Sequence, residues 1–344
     1  MHPGIVEKTL DKERIGELIS QLRGKYEVIG PKREGENFIF DFIEGDEIDL
    51  SYKTTILPPK KFFFPVEEPI YEFEKVNGDV IIRDVLKAPE KKRIFIGIHP
   101  CDIHALMILD RVFGDHYNDP YFQLRRDGTL IAGLTCEPTE YCFCDAMGTG
   151  PTIDHGYDLM LTDIGEKYFF QSCTHEGEKI LEAKLFKDAG EDDRKAREAK
   201  INEIKGKLHS DIKLYGIYEK MRLKFDDDKF WGEWAERCVL CGACNFTCPT
   251  CYCFTIKDEV DFSGNTGRRV RIWDSCHFRN FATVAGGMNF RRRRVSRLKQ
   301  RFYHKLCYSL EQRWVFDCVG CGRCIQFCPT KIDIREVIKA VQGV

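Results

Sequence analysis

Two stretches of the chain repeat one spacing of cysteines: Cys238, Cys241, Cys244 and Cys248 before Pro249, then Cys318, Cys321, Cys324 and Cys328 before Pro329. Three thiolates within seven residues can wrap one face of a cubane cluster, while the fourth, set off by a proline, points elsewhere and ligates the other cluster of a pair. The spacing predicts two 4Fe-4S clusters with crossed ligands. Cluster A takes Cys238, Cys241, Cys244 and Cys328; cluster B takes Cys318, Cys321, Cys324 and Cys248. Thiolate tetrahedra also hold zinc, but zinc sites rarely use three evenly spaced cysteines followed by Cys-Pro.

Nine of the seventeen cysteines lie outside these runs. Cys101 follows one apolar stretch, and Cys136, Cys142 and Cys144 follow another. If the two stretches are neighbouring parallel strands, these four thiols meet where open α/β sheets place their ligands, and a third cluster is expected there. The bland alternative is that they are small buried hydrophobes. Cys251, Cys253 and Cys276 form a set for a fourth cluster, with one ligand missing. Cys307, His304 or His277 are the candidates to complete it, since imidazole replaces thiolate at some irons. Cys173 has no partners and reads as structural. His99 and His104 flank Cys101 and read as hydrogen-bonded structural residues.

The elements that must position these thiols are legible in part. Leu10, Ile15, Leu18, Ile19 and Leu22 recur at helical spacing, with a stop at Gly24. Tyr26 to Ile29 and Phe38 to Ile43 read as strands, and the prolines of residues 56–65 predict an extended loop. Arg93 to Ile98, a helical stretch through Leu109 and Thr129 to Leu134 form a strand, helix and strand, which predicts a parallel unit. Residues 158–170 read as a hairpin turning near Asp163 to Gly165, and the charged stretch 177–207 as solvated helices or a connector. After about Phe225 cysteine, arginine and tryptophan take over. The expected architecture is α+β: an N-terminal α/β domain over residues 1–225, then a mainly helical two-cluster ferredoxin domain over 226–344. The 69 residues between Cys248 and Cys318 form a long excursion within it. Trp231, Trp234, Trp273 and Trp314 are expected to pack around the clusters.

Composition excludes several classes. Charged residues make up 31 % and the net charge is −2, so no global bias selects nucleic acid or an anionic membrane. No stretch reaches the ~18 apolar residues of a membrane span, and the beginning of the chain lacks the apolar core of a signal peptide. Free, clustered cysteines then point to a reducing cytoplasm. Between Arg291 and Lys305 stand eight Lys or Arg residues and no acid. Val295, Leu298 and Phe302 interrupt them at helical spacing, predicting one packed and one cationic face, for a partner or solvent rather than for nucleic acid. There is no Gly-x-Gly-x-x-Gly fingerprint and no Gly-Lys-Ser/Thr loop, so flavin and nicotinamide are expected on another subunit. No cysteines are adjacent, and no further Cys-x-x-Cys suits a nickel–iron centre. The chain reads as a conductor of electrons.

Pro58 to Phe64, His99-Pro100-Cys101-Asp102-Ile103, Glu140 to Cys144, Cys248-Pro249-Thr250-Cys251, Trp273-Asp274-Ser275-Cys276 and Cys318 to Cys324 together resemble the iron–sulfur beta subunits of cytoplasmic sulfhydrogenases. The corresponding iron–sulfur component of anaerobic sulfite reductase belongs to the same family. The resemblance runs from about residue 10 to 340. It implies an electron-transfer component between a catalytic redox partner, of hydrogenase, sulfite reductase or heterodisulfide reductase type, and a flavin- and NAD(P)-binding subunit. It also implies use of the cysteines at 101, 136, 142, 144, 251, 253 and 276. Beside the Arg301-Phe302-Tyr303 stretch, where the family pattern carries a cysteine, this chain has His304. The rival expectation is a substrate-reducing enzyme at an incompletely ligated cluster built on Cys251, Cys253 and Cys276.

Overall fold

The computed structural model describes residues 5–87, 89–115, 117–208 and 210–343. The few remaining positions of the two expected domains, including both ends, lie outside the described residues. Arg93–Ile98 and Thr129–Leu134 form the centre of an eight-stranded sheet. Both strands are nearly continuous apolar runs, as strands covered on both faces must be. In chain order the strands are β1 (Glu7–Asp11), β2 (Glu27–Glu34), β3 (Asn37–Phe42), β4 (Glu67–Val76), β5 (Asp79–Asp84), β6 (Arg93–Ile98), β7 (Thr129–Leu134), β8 (Leu159–Asp163), β9 (Lys167–Ser172), β10 (Lys187–Asp188), β11 (Phe254–Val260) and β12 (Thr266–Trp273). The large sheet runs β10-β1-β9-β8-β7-β6-β2-β3, with β2, β6, β7 and β8 mutually parallel and antiparallel strands at both margins.

Between β6 and β7 lie two helices, Pro100–Gly114 and Pro120–Asp127, each opened by a proline whose missing N–H costs nothing at that position. Ile103, Leu106 and Leu109 bury the inner face of the first against the sheet core. The expected strand, helix and strand are therefore present, and so is the hairpin of β8 and β9. Two expectations shift. Leu10 belongs to β1, paired with β9, and the first α-helix is Ile15–Arg23. The proline-rich loop tightens into a single turn at Pro59–Phe62 that buries Lys60.

The cysteine-rich half is mainly helical but contains a hairpin. β11 and β12 pair with each other, and β12 pairs with β4, giving a second sheet of order β11-β12-β4-β5. Arg271 of β12 is buried and donates through Nε to Glu68 of β4 at 2.9 Å, and it also meets Asp119. Two large apolar cores result, with a small third cluster of Ala105, Ile108 and Val319. One packs the large sheet, and a second gathers Trp231, Met221, Phe302, Leu306, Val337 and Ile338. Trp314 departs from the expected packing: it is 86 % exposed, at the end of its helix with a φ of +60°. The left-handed backbone there swings the ring outward, while Trp231, Trp234 and Trp273 are buried.

Candidate iron–sulfur sites

Both cysteine repeats fold into the same local form. Cys238 to Cys244 turns through Leu240 and Gly242, and Cys318 to Cys324 turns through Gly320 and Gly322, all four at positive φ. Each loop then opens a short helix, Ala243–Phe246 or Arg323–Gln326. Backbone amides turn toward the sulfurs: Leu240 N–H donates to Cys238 Sγ and Ile332 N–H to Cys328 Sγ, both at 3.3 Å. The Cys-Pro-Thr segments match as well, with the Thr250 hydroxyl 3.3 Å from Cys248 Sγ and the Thr330 hydroxyl 3.6 Å from Cys328 Sγ.

Cys238, Cys241, Cys244 and Cys328 line one cavity, with Cys324, His277 and Arg301 also in its wall. Cys248, Cys318, Cys321 and Cys324 line a second, beside Phe143, Arg301 and Lys305. Cys324 and Arg301 are common to both. The fourth cysteine of each run thus faces the three of the other. Among the described residues no three His, Cys, Asp or Glu side chains converge closely enough to hold a single metal ion; the thiols are spread around cavities instead. Burial pushes Cys244 and Cys318 up to about 12, and Cys321 higher still, so these side chains are thiols until something cationic binds them.

Cys101, Cys136, Cys142 and Cys144 gather against the second cavity. Cys101 sits in the first turn after β6, and the other three follow β7. Cys101 and Cys136 are each pushed well up, first by burial and then by their neighbours: Asp102 and Cys321 beside Cys101, Cys144 and Cys142 beside Cys136. The loop carrying them is docked on the Cys318 loop, where Phe143 N–H donates to Gly320 O at 2.8 Å. A Cβ on Gly320 would lie 2.6 Å from the Cys144 backbone, and one on Gly322 2.6 Å from that of Tyr141, so glycine alone permits this approach. Behind Cys101, Asp102 and Arg323 form a buried two-pronged pair with both contacts at 2.7 Å. His99, stacked on Tyr52, leaves a buried Nε2 without a hydrogen-bond partner, and burial holds its pKa down at about 3.

The last set is arranged as two thiol pairs. Cys251 hydrogen-bonds Cys248, whose thiolate is favoured by that bond and by nearby Lys305, Arg301 and Lys60. Cys276 hydrogen-bonds Cys253, lowering it to about 7. Asn245 Nδ2 donates to Cys276 Sγ at 3.0 Å, and Arg301 Nη1 to Cys251 Sγ at 3.6 Å. His304 is turned away from these sulfurs: its Nε2 lies 2.9 Å from Tyr252 Oη and 3.0 Å from Asp317 Oδ2. Cys307 lies near Glu311, at 4.0 Å. Of the three histidine and cysteine candidates, His277 is nearest to a thiol, with Nδ1 3.8 Å from Cys244 Sγ and a buried Nε2 that has no partner.

The buried cations were not legible from sequence. Lys60 donates to the Cys251 carbonyl and lies 4.2 Å over the Trp273 ring, Lys305 donates to Thr250 Oγ1 at 2.8 Å, and Arg301 donates to Asn245 Oδ1 at 3.1 Å. Burial lowers Lys60 to about 8 against the pull of the Cys251 and Cys248 sulfurs; for Lys305 burial is outweighed by the same two sulfurs and Asp317, and its pKa rises. Buried cations held by neutral oxygens require nearby negative charge. Thiolate-ligated iron–sulfur clusters are anionic, so this donor set and its counter-ions fit them.

Comparison with known proteins agrees with this chemistry. Residues 237–332 match the 4Fe-4S dicluster domain family. Sulfhydrogenase 2 subunit beta of Pyrococcus furiosus is 33 % identical over 345 aligned positions, covering 97 % of each chain. The F420-dependent formate dehydrogenase subunit beta of Methanocaldococcus jannaschii is 23 % identical over 180 positions, 51 % of this chain and 38 % of that protein. No solved structure matches. Among the described residues no helix is long and apolar enough to cross a membrane. The chain belongs to the sulfhydrogenase beta-subunit family, as an iron–sulfur electron-transfer subunit carrying 4Fe-4S clusters.

Proposed function

We propose that the chain relays electrons within a multi-subunit cytoplasmic oxidoreductase, between a catalytic redox partner and a flavin- and NAD(P)-binding subunit. In this reading Cys238, Cys241, Cys244 and Cys328 hold one cluster and Cys318, Cys321, Cys324 and Cys248 another. Cys101, Cys136, Cys142 and Cys144 hold a third. The observation that carries the reading is contiguity: the two cavities share Cys324 and Arg301, and the third thiol set abuts the second cavity. Bound clusters supply one-electron carriers whose potentials follow charge, hydrogen bonds to sulfur and exposure. The chain's own part is to hold the thiolates, to neutralise them with Arg301, Lys305 and Lys60, and to keep water from the buried sulfurs. The division at residue 225 belongs to the same proposal, with every strand of the large sheet before it and both cysteine repeats after it, although packing crosses it: Phe143, Ile212, Ile217 and Met221 join the second core and Trp273 the first.

Replacing Cys241 by Ala in the assembled complex is expected to abolish electron transfer between the partners while each partner's half-reaction with artificial dyes persists. Loss of both half-reactions in an intact complex would contradict a relay. A second reading is favoured by one feature, the set of Cys251, Cys253 and Cys276 with His304 turned toward Asp317. A cluster held there by three thiolates would keep a position open for substrate, and turnover by the isolated chain with a low-potential dye would support that.

A further inference from the structure

The surface beside the first cavity carries a cationic patch that holding clusters does not require. Cys241 is exposed there. Its loop is packed on the segment after Cys276, since a Cβ at Gly242 would meet the Phe278 ring at 3.0 Å. The next residue is Arg279, and the Asn289 side chain donates to its carbonyl, which brings the start of the arginine run to the same place. Arg294 reaches back to the cysteine loop, donating through Nε to Ala235 O at 2.8 Å and through Nη2 to the Cys238 carbonyl. Arg297 lies near both Arg279 and Arg294, and burial together with their charges holds its pKa below the usual value.

These guanidiniums lack counter-charges. Among the described residues Arg279, Arg291, Arg292, Arg294 and Arg297 make no ion pair, whereas Arg293 meets Asp228 at 2.6 Å. Arg291 and Arg297 each leave a buried Nε with no acceptor. The same segments carry exposed Val239, Met288 and Phe290, at 55 %, 56 % and 68 % exposure. Arginine with methionine and aromatic side chains is the composition of protein interfaces. A local concentration of positive charge on a chain of net charge −2 selects an acidic partner and speeds its encounter.

We propose that this patch docks an acidic one-electron redox protein over the exposed Cys241 edge of the first cavity. The proposal rests on the electron-transfer reading. One electron leaves the docked protein, which is oxidised, and one enters the chain, which is reduced; no bond forms or breaks. A nucleic acid would also seek arginines, but the exposed apolar side chains and the exposed cysteine beside them favour a protein.

The test is stopped-flow reduction of the anaerobic, cluster-loaded full chain by a reduced acidic bacterial ferredoxin, with dithionite as the small-molecule control. The second-order rate is expected to fall roughly tenfold or more as salt rises from low to physiological concentration. In the double variant Arg279→Glu, Arg292→Glu the low-salt rate is expected to drop about tenfold and lose its salt dependence, with dithionite reduction unchanged. Equal ferredoxin rates in the two proteins, with normal dithionite reduction, would overturn the docking proposal alone. So would a variant that loses only binding of a fluorescent DNA duplex, which would assign the patch to nucleic acid. Clusters that dithionite cannot reduce would overturn the electron-transfer reading and the docking proposal with it.

Discussion

Arg301 stands in the walls of both cavities, is 5 % exposed, and donates to Asn245 Oδ1 and Cys251 Sγ. Its charge therefore acts on whatever negative charge either cavity holds. A unit charge over ~8 Å at an effective dielectric constant of ~20 contributes ~2 kcal/mol, about 90 mV for one electron. Arg301→Met is expected to lower the midpoint potentials of both clusters by on the order of 50–100 mV in a titration followed by paramagnetic resonance, and Arg301→Lys to restore part of the shift. Unchanged potentials in Arg301→Met would remove the shared counter-ion role. The cysteines were legible because cluster geometry fixes their spacing in sequence. Arg301 and Lys305 were not, because a basic run at helical spacing resembles a solvated face. What turns them inward is the packing of Leu298, Phe302 and Leu306 beside them in the second core.

Two loops, one from each half of the chain, meet at glycines. Gly322 has a φ of +74° and lies against the Tyr141 backbone, so a methyl group there brings both strain and a clash. Gly322→Ala is expected to cost roughly 1–3 kcal/mol and to part the Cys142–Cys144 loop from the Cys318 loop. It should lower iron retention by at least one cluster, as read by iron analysis after gel filtration; full retention would mean that the approach of the loops is not needed. The parallel core strands were legible as unbroken apolar runs, and the hairpin of β8 and β9 from its turn. The hairpin of β4 and β5 went unread although Asn77 and Gly78, both at positive φ, are a strong two-residue turn signal. β11 and β12 were hidden by their charges: the pairing of β12 with β4 brings Arg271 against Glu68, a contact between residues 203 apart in sequence.

At the scale of the molecule, Asp102 and Arg323 join the sheet half to the second cysteine loop through a pair that is almost wholly buried. Removing one partner of such a pair leaves a charge without compensation, at about 3–5 kcal/mol. Asp102→Asn is therefore expected to lower the melting temperature of the anaerobic full chain by on the order of ten degrees. A change of a degree or less would show that the halves are held together by other contacts. The same juncture brings Cys101 beside Cys321, which makes the number of clusters a property of the whole fold rather than of the repeated motif.

Iron and acid-labile sulfide per chain, measured on anaerobically purified protein with paramagnetic resonance after stepwise reduction, test this most directly. Thiol sets that continue past the two cavities predict about twelve irons or more, with a third reducible centre lost in Cys136→Ala. About eight irons, unaffected by that substitution, would contradict the extended relay and leave a two-cluster subunit.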